Sequence, residues 1–199
     1  TISNSAGSTK VSLKIRIGNT TATGVYGQNG SFTTSTANNG GVTASSLSNP
    51  TSFFNFFYYS DNFIVDSGNH RVLSFSSTSF TAKSVIGQGG SLSSNTANNG
   101  GVSSTSLSSP TSFSGYSQYY VADTGNNRVL AYSAYSSSNT ASTVYGQGGS
   151  LSSSTANNGG VSASSLNAPT GVTSDYSNLY VADTGNNRVL KYSSTLTTA

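Results

Sequence analysis

The chain has 199 residues and a net charge of +3, from 8 Lys and Arg against 5 Asp and Glu, with charged residues at only 7% and no Cys, Met or Trp. Without cysteine there is no disulfide framework and no thiolate metal site, and so few charges exclude stabilisation by ion-pair networks. Hydrophobic residues are 33% of the chain, but 12 Tyr and 9 Phe among them can bury much area per residue in thin layers.

In chain order, residues 1–26 come first: a tail carrying one alternating stretch, Lys10-Val11-Ser12-Leu13-Lys14-Ile15-Arg16-Ile17. Its period of two predicts a two-faced strand with Val11, Leu13, Ile15 and Ile17 on one side. Lys10, Lys14 and Arg16 are the only clustered basic residues, too small a footprint for a nucleic-acid interface. Three homologous units follow: 27–86, 87–145 and 146–199. Their starts at Gly27, Gly87 and Gly146 lie 60 and 59 residues apart. Self-similarity at such a period marks a solenoid, propeller or array whose units bury their faces against one another.

Each unit opens with a Gly/Ser/Asn-rich connection containing TANNGG. Apolar residues recur in it at Phe32, Leu92 and Leu151, then at Val42, Val102 and Val161, then at Leu47, Leu107 and Leu166, and these are expected to peg an ordered loop onto the sheet below. A strand, here a, is expected after Pro50, Pro110 and Pro169. Strand b is expected at 63–65, 119–122 and 179–182, and strand c at 71–75, 128–132 and 188–192. Strand d is expected at 84–86 and 143–145, with Val25-Tyr26 in the matching place before Gly27. No stretch has a helical stripe, so the fold class is all-β.

The b–c connections, DSGNHRV, DTGNNRV and DTGNNRV, together with the preceding LYVAD, resemble the NHL-repeat family of β-propellers. The resemblance spans roughly 27–199 and implies a ring of four-stranded blades. In each turn the Asp (Asp66, Asp123, Asp183) is expected to accept backbone N–H bonds across the turn, Gly and Asn to supply left-handed φ, and the Arg (Arg71, Arg128, Arg188) to pair with an Asp of its own or an adjacent blade. One carboxylate per turn is too few for a calcium loop.

No catalytic set is legible. His70 is the only histidine, in a slot that Asn127 and Asn187 fill in the other turns, so it reads as a turn residue. There is no Glu, no Cys and no second His for a triad, a zinc site or paired-carboxylate hydrolysis. Some propellers of the resembled family are lyases with histidine-held metal, and this chain lacks the histidines. No cofactor is expected. The aromatic run Phe53 to Val65 reads as a bulged hairpin filling a core, or else as a contact surface for a partner chain or for sugar rings.

Low charge, abundant Ser and Thr, and the absence of Cys predict an extracellular or cell-surface protein, and the start at Thr1 fits a chain that has lost a leader. In such a compartment Asn19 and Asn29, each in an Asn-x-Ser/Thr sequon, are candidate glycosylation sites. No apolar run approaches the ~20 residues that span a bilayer.

Propellers close with about four to eight blades, so three units predict an incomplete ring. The third unit lacks its own d, and the N-terminal strand segment is placed to complete it, within the chain or from another copy. The expectation is therefore a β-propeller-like array of about three four-stranded blades, acting as a non-enzymatic scaffold that self-associates into a closed oligomer or a filament. The partner expected first is a second copy, with glycans or other surface proteins after it. A carbohydrate-binding module is the alternative, and a lyase-type enzyme comes third.

Overall fold

The structure, a computed structural model, describes residues 20–56, 60–134, 139–175 and 177–193. The alternating segment with Val11, Leu13, Ile15 and Ile17, and the sequon at Asn19, lie outside the described residues.

Eleven strands form three antiparallel sheets, and no α-helix occurs among the described residues. The first sheet holds β1 (Pro50–Phe56), β2 (Asp61–Asp66), β3 (Arg71–Ser76) and β4 (Ser84–Ile86) in that spatial order. The second holds β5 (Ser112–Gly115), β6 (Gln118–Asp123), β7 (Arg128–Ser133) and β8 (Thr143–Tyr145), again in order. The third has three strands, β9 (Gly171–Ser174), β10 (Asn178–Asp183) and β11 (Arg188–Ser193). Strands a to d of the sequence are these strands: d has the expected bounds, c is longer by one residue and b by two or three. Val25-Tyr26, in the matching place for a d strand, forms no strand among the described residues.

The sheets are simple meanders because each connection within them is a short turn, which favours antiparallel neighbours. Register repeats unit by unit: Asp66 faces Arg71, Asp123 faces Arg128 and Asp183 faces Arg188. The first strand has a register shift between Pro50 and Ser52, ahead of the aromatic run, and pairs regularly with β2 from Phe53 to Phe56.

Both faces of each sheet are apolar because the inner strands carry Val, Leu, Ile and aromatics at successive positions rather than alternating with polar ones. In β2, Phe63 and Val65 point toward the second sheet while Ile64 points away. We call the side toward the following unit the front and the other the back. The front of the first sheet (Phe63, Val65, Val72) packs on the back of the second (Phe113, Val121, Leu130). The front of the second (Tyr120, Ala122, Val129) packs on the back of the third (Val172, Leu179, Val181). The sheets thus stack face to face in chain order, the arrangement that lets thin units share cores.

The two interfaces differ in chemistry. Between the first and second sheets the Phe63 and Phe113 rings stack, with centroids 4.5 Å apart and planes 14° apart, and Phe54 lies 5.5 Å from Phe113. Between the second and third, side chains of β5 bond the backbone of β9. Ser112 Oγ accepts from the Val172 N–H at 3.2 Å, Ser114 Oγ accepts from the Ser174 N–H at 3.1 Å, and Thr111 Oγ1 donates to the Thr170 carbonyl at 2.9 Å. The first strands of neighbouring sheets therefore run side by side.

The long connections are ordered, and their pegs are uneven. Leu47, Leu107 and Leu166 are buried as expected, and Leu92 and Leu151 pack against cores. Phe32 is 60% exposed and Val161 66% exposed, so neither acts as the peg its position predicts. Phe32 differs from Leu92 and Leu151 because no sheet precedes it among the described residues. The exposure of Val161 has no evident structural cause.

Candidate functional site

The motif that the sequence marks most strongly is the turn between the second and third strand of each sheet. Burial explains its constancy. Asp66, Arg71, Asp123 and Arg128 are all completely buried, as is Asp183, while the Arg188 side chain is 26% exposed. A buried ion is costly unless it is paired and its remaining hydrogen-bonding capacity is met.

The first two turns meet that demand in the same way, and the third does so without a partner for Arg188 Nη1 among the described residues. Asp66 Oδ2 accepts from Arg71 Nε at 2.8 Å and from Asn69 Nδ2 at 2.7 Å, and its Oδ1 accepts from the Ser48 N–H at 2.7 Å. Arg71 then spans two loops: Nη2 donates to the Thr43 and Ser46 carbonyls, and Nη1 donates to the Leu92 carbonyl at 2.6 Å. Asp123 and Arg128 repeat this set with Ser108, Asn126, Ser103, Ser106 and Leu151. The Arg pairs with the Asp of its own turn, so of the two pairings open at the sequence level the local one is realised. The Asp side chain reaches the backbone of the preceding loop rather than bridging its own turn.

The turn glycines do not supply left-handed φ, contrary to expectation; His70, Asn127 and Asn187 do, at φ of 54°, 52° and 53°. Gly68 is needed for close approach: a Cβ there would lie 2.8 Å from the Ser48 carbonyl oxygen, and Gly125 meets Ser108 in the same way. The gap is closed because the Gly68 N–H donates to that carbonyl at 2.9 Å.

A contact absent from the sequence reading joins the two motifs. Asn38 of the TANNGG loop and Asn69 of the turn exchange two amide hydrogen bonds, at 2.8 and 2.7 Å. Asn98 with Asn126 and Asn157 with Asn186 do the same. The matched recurrence of Asn in both motifs at a fixed separation was the available signal.

Gln88 and Gln147 were also missed. Gln88 Nε2 donates to the Asn69 and His70 carbonyls of the preceding turn and to the Thr96 carbonyl of its own loop. Gln147 does likewise with Asn126, Asn127 and Thr155. His70 Nδ1 accepts from the Ser109 N–H at 2.9 Å, and Asn127 Oδ1 accepts from the Ala168 N–H at 2.9 Å, so the slot is one of backbone capping between units. Burial lowers the His70 pKa from its usual 6.5, against the pull of Asp123 and Asp66.

The chemistry available to this site is cohesion. Its carboxylates and guanidinium groups are consumed by one another and by carbonyls. Among the described residues no three His, Asp, Glu or Cys side chains gather. Burial pushes the Tyr120 and Tyr192 hydroxyls up to about 12, far from a base at neutral pH. Of the outlying carboxylates, Asp61 pairs with Lys83 at 2.7 Å and Asp175 caps the N–H groups of Ser177 and Asn178. Asn29 is exposed, at φ 48°, and its amide donates to the Asn39 carbonyl. The aromatic run divides: Phe54, Phe56 and Phe63 enter the core between the first two sheets, whereas Phe53 is 57% exposed on the other face. No family model matches the chain, and no curated protein matches it.

Proposed function

We propose that this chain is a non-catalytic, extracellular structural scaffold: a β-propeller-like array of NHL-type blades that associates with further copies of itself into a ring or a filament. One observation carries the reading. The valine at the second position of the third strand is 1% exposed at Val72 and 0% at Val129, each covered by the following sheet, but 69% exposed at Val189. A face built to be covered stands open, and open apolar faces of this kind are interaction surfaces. The side-by-side first strands are consistent with blades set round an axis, and the consumption of every turn carboxylate by a structural partner favours scaffold over enzyme.

Light scattering across a concentration series, with negative-stain imaging, tests this. Growth in mass with concentration, and arcs, rings or fibres in the images, is the expected result. A species of about 20 kDa at every concentration would overturn self-association.

A further inference from the structure

The two ends of the stack are complementary group for group, and the geometry points to a head-to-tail interface in which the front of the third sheet seats on the back of the first unit of a second copy. This rests on the self-association proposed above and names its surfaces and register.

The interface between units occurs twice inside the chain, so its requirements are known. On the leading side it needs a turn whose two carbonyls receive a glutamine and whose Arg Nη1 reaches a loop carbonyl. At the first interface these are Gln88 Nε2 to Asn69 and His70, and Arg71 Nη1 to Leu92. At the second they are Gln147 Nε2 to Asn126 and Asn127, and Arg128 Nη1 to Leu151.

The third sheet presents the same leading side without its partners. Among the described residues the Asn186 and Asn187 carbonyls receive no glutamine, and Arg188 uses Nε and Nη2 but not Nη1. The first unit presents the same trailing side, equally bare. Among the described residues Gln28 Nε2 bonds only its own loop, at Thr36, and the Phe32 carbonyl, equivalent to those of Leu92 and Leu151, receives no donor.

The apolar groups match in the same way. Phe113 and Val172 are 3% and 8% exposed where the preceding sheet covers them, but their equivalent Phe53 is 57% exposed. Pro110 and Pro169 are buried, and Pro50 is exposed. Beside Phe53 lies an open depression of about 360 Å³ lined by Tyr26, Leu47, Pro50 and Ile64. In the two internal interfaces that place is filled by Phe63, Val65 and Val72, or by Tyr120, Ala122 and Val129. The matching residues of the third sheet are Tyr180, Ala182 and Val189.

The register follows from the ladders already present. Val72 faces Ile86 and Leu73 faces Val85; Val129 faces Tyr145 and Leu130 faces Val144. By the same offset Val189 pairs with Tyr26 and Leu190 with Val25 of the second copy, which gives the third sheet its fourth strand. Tyr26 is already held for this, packed 4.9 Å from both Phe75 and Phe80, with its hydroxyl accepting from Asn62. One internal feature is altered: Lys191 stands where Ser74 and Ala131 are buried, with its ammonium 5.8 Å from the Tyr180 ring centre. That contact lets the charge leave the interface while the stem covers the ring. Joining unlike faces makes the contact heterologous, the kind that yields rings or filaments.

The test uses full chains carrying Val189→Asp or Phe53→Asp, both at exposed positions, with circular dichroism to check that each variant keeps the fold. Each is expected to raise the midpoint concentration of association at least about tenfold. Because the chain has no cysteine, a mixture of Phe53→Cys and Val189→Cys chains treated with a bismaleimide spanning about 10 Å, the spacing of stacked sheets, is expected to give mixed dimers. If the parent chain stays monomeric, self-association itself fails. If it associates but the two Asp variants behave as parent, or only like-with-like dimers form, self-association stands and this interface is wrong. Cross-linking within single chains carrying both substitutions places the occupant in the same molecule and overturns the second copy.

Discussion

The slot held by His70, Asn127 and Asn187 shows how one residue can be exchanged for another without loss of form and with a change in pH response. All three adopt left-handed backbone, and His70 and Asn127 cap an N–H of the next unit. Only the imidazole can lose that acceptor by protonation. Burial lowers its pKa in the folded chain below 6.5, so the unfolded chain binds the proton more readily. The contribution is therefore complete above about 6.5 and is lost as the pH falls from there through the lower folded value. Urea midpoints between pH 8 and 5 are expected to decline for the parent chain and to decline less for His70→Asn; equal slopes would assign the acid sensitivity elsewhere. Tyr132 makes the opposite point. Its hydroxyl is buried with no partner among the described residues, and the first unit has Phe75 at that position. Removing an unsatisfied buried hydroxyl regains about 1–3 kcal/mol of desolvation, so Tyr132→Phe is expected to raise the denaturation midpoint.

At the scale of elements, strands were legible because their signal is local: β-branched and aromatic runs bounded by Gly, Pro and Asn, repeated at one spacing. The position of every strand from β1 to β11 follows from that alone. The TANNGG connections were legible as ordered but not in what orders them, since the Asn98–Asn126 exchange joins residues 28 apart through a fold that the sequence does not display. Phe32 shows the same limit: identical slots in three units predict identical burial, and the neighbours decide otherwise. The Asn pair itself is open to measurement. Two neutral bonds of about 0.5–1.5 kcal/mol each predict that Asn98→Ala and Asn126→Ala are strongly non-additive in a double-mutant cycle. Additive losses would show that each amide acts through other contacts. The buried ion pair beside it carries more. Arg128→Leu strands a fully buried Asp123 carboxylate and is expected to cost about 3–5 kcal/mol, while Arg188→Leu costs less because that side chain is 26% exposed.

At the scale of the whole molecule, a stack of similar units has a stability profile that each unit's neighbours determine. Among the described residues the second sheet is covered on both faces and the third only on its back. Sequence similarity between β7 (RVLAYS) and β11 (RVLKYS) gives the two strands nearly equal intrinsic preference, so a difference between them measures coverage. Every residue of β7 but the last is buried, whereas exposed and half-buried residues alternate along β11. Local opening of β11 releases fewer contacts, and its amides are expected to exchange with solvent hydrogen faster than those of β7. The comparison gains force when concentration is varied. Where copies are apart, β11 should exchange quickly and β7 slowly. As head-to-tail contacts form, the carbonyls and N–H groups of β11 gain a fourth strand and its protection should rise toward that of β7, with β7 itself unchanged. Protection of β11 that stays low while scattering reports growth would mean that the copies meet through another surface, and protection already equal in dilute monomer would mean that the face is covered within the chain.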